Sequence, residues 1–256
     1  MIDLEIVDKA FKDYTSKFDM SNEKIALKYE HTFEVARVTE IIGKKMGLVE
    51  DDMKLAITIA YLHDIGRFEQ IVKTDSFKDS ITDHAENGAD LLFKRNLIEN
   101  FKVDKEYYDI IEKAVRLHNK LKLSNDLSER EEFFAKLIRD ADKIDIFRVN
   151  NKFYKKYFEQ MPLKVNLDDF YKHREINVKN TNSKTDALLC QMAFIFDLNF
   201  KESIDTLNEL GYYKEFIDRV NVKEEYKDLF KELANETFKA LGMKGWEKWK
   251  INLLVF

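Results

Sequence analysis

Apolar residues recur along this chain at spacings of three and four, the period of an α-helix with one buried face. Leu4, Val7, Phe11, Tyr14 and Phe18 form one such stripe over residues 3–18. A second helix is predicted after the Ser21-Asn22 cap and runs toward Gly43 and Gly47, with Ile25, Leu27, Phe33, Val35 and Val38 on its apolar face. A third starts at the acidic turn Glu50-Asp51-Asp52 and runs through residues 55–62. Gly66 falls near its end, where a left-handed cap favours glycine. Residues 67–82 are mixed and polar and read as a loop. Asp83, with Glu86 three residues on, has capping-box spacing and opens a helix through Leu91, Leu92 and Phe93. Two more helices are predicted over residues 105–120 and 127–150.

Pro162, the sole proline, marks a break. The Asn- and Lys-rich stretch 164–184 has little periodicity and reads as a long loop with room for a short hairpin. Ser183 and Asp186 have cap spacing before a helix over residues 187–196. Gly211 and Gly242 stand where two further helices should stop, and Val222, Tyr226, Leu229, Phe230, Leu233 and Phe238 form an amphipathic stripe between them. The expectation is an all-α fold of about ten helices. It forms either one domain or a core and a C-terminal part divided near 150–185.

Composition agrees. A chain of 256 residues holds 7 Gly and 1 Pro, where average usage gives about 18 and 13, which disfavours turn-rich β architectures. Twenty Phe and 11 Tyr supply too much apolar mass for a disordered chain. The net charge of −5 makes duplex nucleic acid an unexpected partner, while leaving room for a local basic pocket that takes a small anion. One cysteine, Cys190, excludes an intramolecular disulfide or a thiolate zinc cluster and suits a reducing, cytoplasmic setting. No signal-peptide core and no apolar run near 18 residues is visible, so no membrane association is expected. The apolar residues Ile251–Phe256 are expected to dock on the core.

The chemistry concentrates early. Four of the five histidines, His31, His63, His84 and His118, fall in the first 120 residues, and Asp140-Ala141-Asp142-Lys143-Ile144-Asp145 follows. Imidazole suits Zn, Fe and Ni, and carboxylate suits Mg and Mn. His63 and Asp64 are adjacent, so on a regular helix they point about 100° apart. They meet one ion only at a helix end, and a carboxylate there has two oxygens with which to bridge two ions. The competing readings are satisfied buried histidines and an ordinary solvated face for Asp140, Asp142 and Asp145.

The order His31, His63-Asp64, Asp142, with the contexts His-Asp-Ile-Gly-Arg at 63–67 and Arg-Asp-Ala-Asp-Lys-Ile-Asp at 139–145, resembles the HD-domain superfamily of metal-dependent phosphohydrolases over roughly residues 20–155. The resemblance implies an HD-type helical bundle, with a metal-binding core over 1–155 and a C-terminal helical extension over 156–256 packed on it. It implies His31, His63, Asp64 and Asp142 around one divalent ion. In the dinuclear branches two further histidines, here His84 and His118, hold a second ion that Asp64 bridges. One or two ions of Fe, Mn, Zn, Mg or Ni are expected per chain. The implied activity is hydrolysis of a phosphate ester of a nucleotide or small phosphorylated metabolite by activated water, with Asp64, Arg67 and Lys143 as catalytic residues. The alternative is a nucleotide-sensing module without turnover. The sequence Arg116-Leu117-His118-Asn119 replaces the paired His-His-Glu of the cyclic-di-GMP branch, and Gly-Tyr-Pro is absent, which disfavours that substrate. Phe68 and Phe77 are candidates for base or sugar contacts. His173 lies in the 164–184 loop, whose five Lys/Arg against three Asp/Glu suit a phosphate tail. The oligomeric state is left open.

Overall fold

A computed structural model describes residues 2–174, 176 and 183–243. Helices begin where short polar side chains take up otherwise unpaired amides. Asp3 accepts from the Glu5 N–H and starts α1 (Leu4–Thr15). Asn22 accepts from Lys24 and Ile25 and starts α2 (Glu23–Met46). Three acids open α3 (Glu50–Leu62) and favour the positive end of its dipole. α4 (Ile65–Thr74) follows after two residues, and Asp83 caps α5 (His84–Ala89). Asp90–Lys94 continue α5 by one wider turn, closed by the Arg95 N–H on the Asp90 carbonyl. α6 (Tyr108–Leu117), α7 (Glu129–Phe153), β1 (Lys156–Phe158), α8 (Leu167–Tyr171), α9 (Lys184–Met192), α10 (Lys201–Leu210), α11 (Tyr212–Asp218), β2 (Val220–Val222) and α12 (Lys227–Ala240) complete the order. The described chain is therefore all-helical apart from two three-residue strands, and no described helix is long and apolar enough to cross a membrane.

The described residues divide into two compact units, one within Met1–Asp145 and Asn199–Thr206, the other within Ile146–Leu198 and Leu207–Phe256. The first has an aromatic centre in which Phe11 packs on Tyr29, Phe33, Tyr61 and Phe68 at centroid distances of 5.5–6.0 Å. The second is built on Phe147, Tyr213 and Phe216, with Phe158 against Phe230. In it the fully buried Asp186 carboxylate accepts from the N–H groups of Leu163, Lys164 and Val165, which pins the segment after Pro162.

Several predicted boundaries move. The loop expected over 67–82 shrinks to 75–82, because Ile65, Phe68 and Ile71 bury one face of α4 at threefold spacing. Gly66 is no left-handed cap: α3 ends at Leu62, and Gly66 lies in the first turn of α4. Gly211 and Gly242 do take left-handed φ of 68° and 69° at the expected stops. The 164–184 stretch holds the short helix α8, and its residues 175 and 177–182, where a hairpin had room, lie outside the described residues; the two strands fall outside the stretch and pair parallel, Lys156 with Val220 and Phe158 with Val222. Val222 belongs to β2 and not to the final helix. Residues 251–256 lie outside the described residues.

α7 begins with a complete capping box. Glu131 N–H donates to Ser128 Oγ, and Ser128 N–H donates back to Glu131 Oε2 at 2.7 Å. The Lys113 ammonium 2.8 Å away, together with the Ser128 N–H, holds the Glu131 carboxyl down at about 2. A carboxyl depressed in the folded state stabilises the fold fully above its ordinary value of 4.5 and loses that contribution as pH falls toward 2. Glu131→Gln keeps the acceptor and removes the charge, so it should cost about 0.5–1 kcal/mol at pH 7, the range of a part-exposed, screened pair. Urea midpoints of the two proteins should converge as pH falls below 4, and a gap that stays constant would show that the charge contributes nothing.

Candidate metal centre

The sequence breaks its helices where the chemistry needs them broken. α3 stops at Leu62, and Asp64 takes φ −105° and ψ 14° ahead of α4. The 100° step between neighbouring helical side chains no longer applies, so His63 and Asp64 reach one place. α2 brings His31 from its middle, α5 brings His84 as its first residue, and His118 follows the last turn of α6. Arg139 of α7 donates to the carbonyl oxygens of Leu117, Lys120 and Leu121, which fixes the end of α6 that presents His118. Asp142 and Asp145 stand three residues apart on one face of α7.

Asp64 is the hinge of the cluster. Its Oδ2 lies 3.6 Å from Nε2 of both His31 and His63, and its Oδ1 lies 3.1 Å from His84 Nε2 and 3.6 Å from His118 Nε2. Asp142 Oδ1 is 3.0 Å from His31 Nε2 and 3.9 Å from His63 Nε2. Two sets of possible metal ligands result, His31 with His63 and Asp142, and Asp64 with His84 and His118, the ligand atoms within each set lying no more than 4.8 Å apart.

Each imidazole is oriented from behind. Nδ1 of His31 meets Asp145 Oδ2 at 2.6 Å, and Nδ1 of His84 meets Asp79 Oδ1 at 2.6 Å. Nδ1 of His63 and of His118 reach the carbonyls of Ala60 and Val115, each at 2.7 Å. A carbonyl only accepts, so the proton of a neutral His63 or His118 sits on Nδ1, and Nε2 carries a lone pair. A carboxylate behind Nδ1 has the same effect on His31 and His84. His84 Nε2 and His118 Nε2 then face each other at 2.9 Å as two lone pairs, which repel unless a cation lies between them. Nε2 of His63 is buried without a hydrogen-bond partner among the described residues, and Nε2 of His31 is buried facing the Asp142 carboxylate. Four aimed, buried acceptor nitrogens beside two carboxylates fit a divalent metal.

Burial pushes His63 down to about 3, so it is neutral at physiological pH. Burial likewise pushes His118 down. Burial and the Lys28 charge work against a proton on His31, but the carboxylates of Asp142 and Asp145 outweigh them and raise it. Asp64 stays ionised far below the ordinary range: burial opposes this, and Lys28 and the surrounding imidazoles overcome it.

The cluster thus gathers His31, His63, Asp64, His84, His118 and Asp142. Arg67 joins it with Nε 3.4 Å from Asp64 Oδ1, while its Nη1 donates to Gln70 Oε1, the Phe77 carbonyl and Asp79 Oδ1. Lys143 is buried on α7 beside Asp142, and its charge helps to offset the upward push of burial on Asp140. Asp140 and Asp145 are fully buried, so the acidic run is no solvated face. Asp140 accepts from the amides of Asn199 and Phe200. Phe68 is core, whereas Phe77 lies at the edge of the site with Lys28 Nζ 5.8 Å and Arg67 Cζ 6.0 Å from its ring centre. His173 stacks on Phe196 at 4.3 Å and meets Glu236 at 2.8 Å within the second unit.

Two residues escaped the sequence reading. Lys28, one turn before His31, donates to Asp64 Oδ2 at 2.6 Å. Asp79, in the 75–82 loop, ties Arg67, Gln70 and His84 together, and the signal for it was only its distance of five residues from His84. A family model described as HD domain matches residues 29–146, a span that includes all six clustered residues. No curated protein and no solved structure matches the chain.

Proposed function

We propose, on the match of residues 29–146 to the HD domain, the mark of a superfamily of metal-dependent phosphohydrolases, that this chain hydrolyses a phosphate ester of a nucleotide or another small phosphorylated metabolite. Asp64 carries the reading: its two oxygens face two separate pairs of imidazoles, the arrangement of a carboxylate that bridges two cations. His31, His63 and Asp142 would hold one ion, and His84 and His118 with Asp64 the other. Imidazole-rich sets favour Fe, Zn or Ni over Mg, and the carboxylates leave room for Mn. A divalent ion bound there supplies Lewis acidity, which lowers the pKa of water toward neutrality and offsets charge on phosphoryl oxygens.

The chain's own residues supply the frame. The Nδ1 hydrogen bonds hold four imidazoles ready without reorganisation, and Asp79 couples the orientation of His84 to that of Arg67. Lys28 and Arg67 bring two positive charges to one carboxylate beside Phe77, so an incoming phosphate meets cations and an aromatic face together. Lys143 is the weaker candidate for a direct role, since it stands about 100° around α7 from Asp142. The single cysteine and the net charge of −5 suit a cytoplasmic enzyme of small anions rather than a binder of duplex nucleic acid.

The test is direct. The chain, purified without chelator, is incubated with Mn²⁺ and nucleoside mono- and triphosphates, dinucleoside polyphosphates, and cyclic mono- and dinucleotides, and products are separated by chromatography. Turnover of at least one member, abolished by EDTA, is the expected result. Thermal stabilisation by a nucleotide with no product from any member would replace the enzyme by a sensing module.

A further inference from the structure

Lys28 Nζ sits 2.6 Å from Asp64 Oδ2, the oxygen that also lies 3.6 Å from Nε2 of His31 and His63. Asp64 is almost wholly buried, while Lys28 reaches it from a partly exposed position on α2, with side-chain exposures of 3% and 14%. The ammonium therefore stands in the space that a cation on this oxygen needs. A divalent ion binds a carboxylate oxygen at about 2.0–2.2 Å, and two positive charges cannot share that oxygen without strong repulsion. Lysine is suited to yield, because its charge rides on a flexible four-carbon stem. The same ammonium already lies over the face of Phe77, which it shares with Arg67. A lysine released from Asp64 thus stays beside a second cation at the edge of the site.

We propose that Lys28 is an exchangeable counter-ion, which neutralises Asp64 until a divalent cation takes Oδ2 and then turns to the anionic phosphate of the substrate. The proposal rests on the hydrolase reading and deepens it. It imposes an order: cation first, phosphate second. It also requires positive coupling, since each ligand favours the arrangement of Lys28 that the other needs, and such coupling is reciprocal.

The test uses the full chain and two simple probes, with binding read by isothermal titration. Mn²⁺ is titrated alone, and inorganic phosphate is titrated into the Mn²⁺-loaded protein. Lys28→Met keeps the aliphatic stem without the charge, and Lys28→Arg keeps a charge. The Met variant should bind Mn²⁺ about tenfold more tightly than the native chain, because its competitor is gone, and once loaded it should bind phosphate about tenfold more weakly. The Arg variant should retain phosphate affinity within about threefold of native. Circular dichroism shows that each variant is folded, and Lys28→Gln replaces the Met variant if that one is not. Unchanged or weaker Mn²⁺ binding by the uncharged variant overturns the competition, and unchanged phosphate binding overturns the hand-over. Failure of the native chain to bind Mn²⁺ at all removes the hydrolase reading itself, a different result from either.

Discussion

Asp64→Asn should abolish metal-dependent hydrolysis while the helical fold survives. The substitution preserves shape but removes the charge and turns one of two acceptor oxygens into a donor. Whichever way the amide settles, one pair of imidazole nitrogens then faces N–H in place of oxygen. In the metal-free protein that exchange is benign, since an amide N–H can donate to an imidazole lone pair. Lys28 loses its partner but is not sealed in, and it can turn outward. Stability without metal should therefore change by about 1 kcal/mol or less. With metal the exchange is severe on the proposed reading, because Asp64 would serve both ions and the amide offers an oxygen to only one. Turnover should fall by at least about 10³-fold, roughly 4 kcal/mol of barrier, and Mn²⁺ binding measured by equilibrium dialysis should fall with it. An Asp64→Asn protein that hydrolyses substrate at the native rate would remove the cluster from the chemistry.

That the cluster was visible in the sequence at all follows from scarcity. Five histidines in 256 residues leave little room for coincidence when four precede residue 120 and one is followed by an aspartate. Charged residues carry no such contrast. Lys28 and Asp79 are two among 43 basic and 48 acidic residues, and nothing local separates them from their solvated neighbours. What singles them out is contact across 36 residues for Lys28 with Asp64, and for Asp79 a loop that folds back on Arg67 and His84. The acidic run on α7 misled for the same reason: Asp140 is buried because the backbone amides of Asn199 and Phe200, 59 and 60 residues on, come to it. Helices with long stripes were legible because the period repeats over several turns. α4 was not, since a glycine and buried Gln70 interrupt its short apolar face. The strands, three residues each, barely exceed one two-residue alternation, and their pairing spans 64 residues.

Gly66 shows how closely fold and site are joined, and Gly66→Ala should damage both. From sequence its position predicts a stop for α3, a matter of backbone conformation, but the constraint is space. A Cβ there would lie 2.2 Å from the His84 carbonyl oxygen, 2.5 Å from Gly88 N and 2.9 Å from Gly88 Cα. All three are backbone atoms, so no side chain can rotate away, and α4 and α5 must separate. Overpacking of this kind costs about 1–3 kcal/mol and more where backbone has to move. The gain from replacing glycine in a helix, about 1 kcal/mol, offsets only part of it. A net loss of about 2–3 kcal/mol corresponds to a fall in Tm of roughly 4–12 °C for a chain of this size. The site should suffer unequally. His84 opens α5 at the point of contact, so the set made by Asp64, His84 and His118 loses its geometry, while His31, His63 and Asp142 sit on α2, the α3 end and α7. Mn²⁺ titration of the folded variant should therefore show the second binding event weakened or missing and the first retained. Gly88→Ala is the control: its Cβ would approach Gly66 N no closer than 3.2 Å, and its cost should be well below that of Gly66→Ala in the same urea denaturation series. Equal stability of Gly66→Ala and the native chain would mean that α4 and α5 are not in backbone contact there, and the placement of His84 opposite Asp64 would go with it.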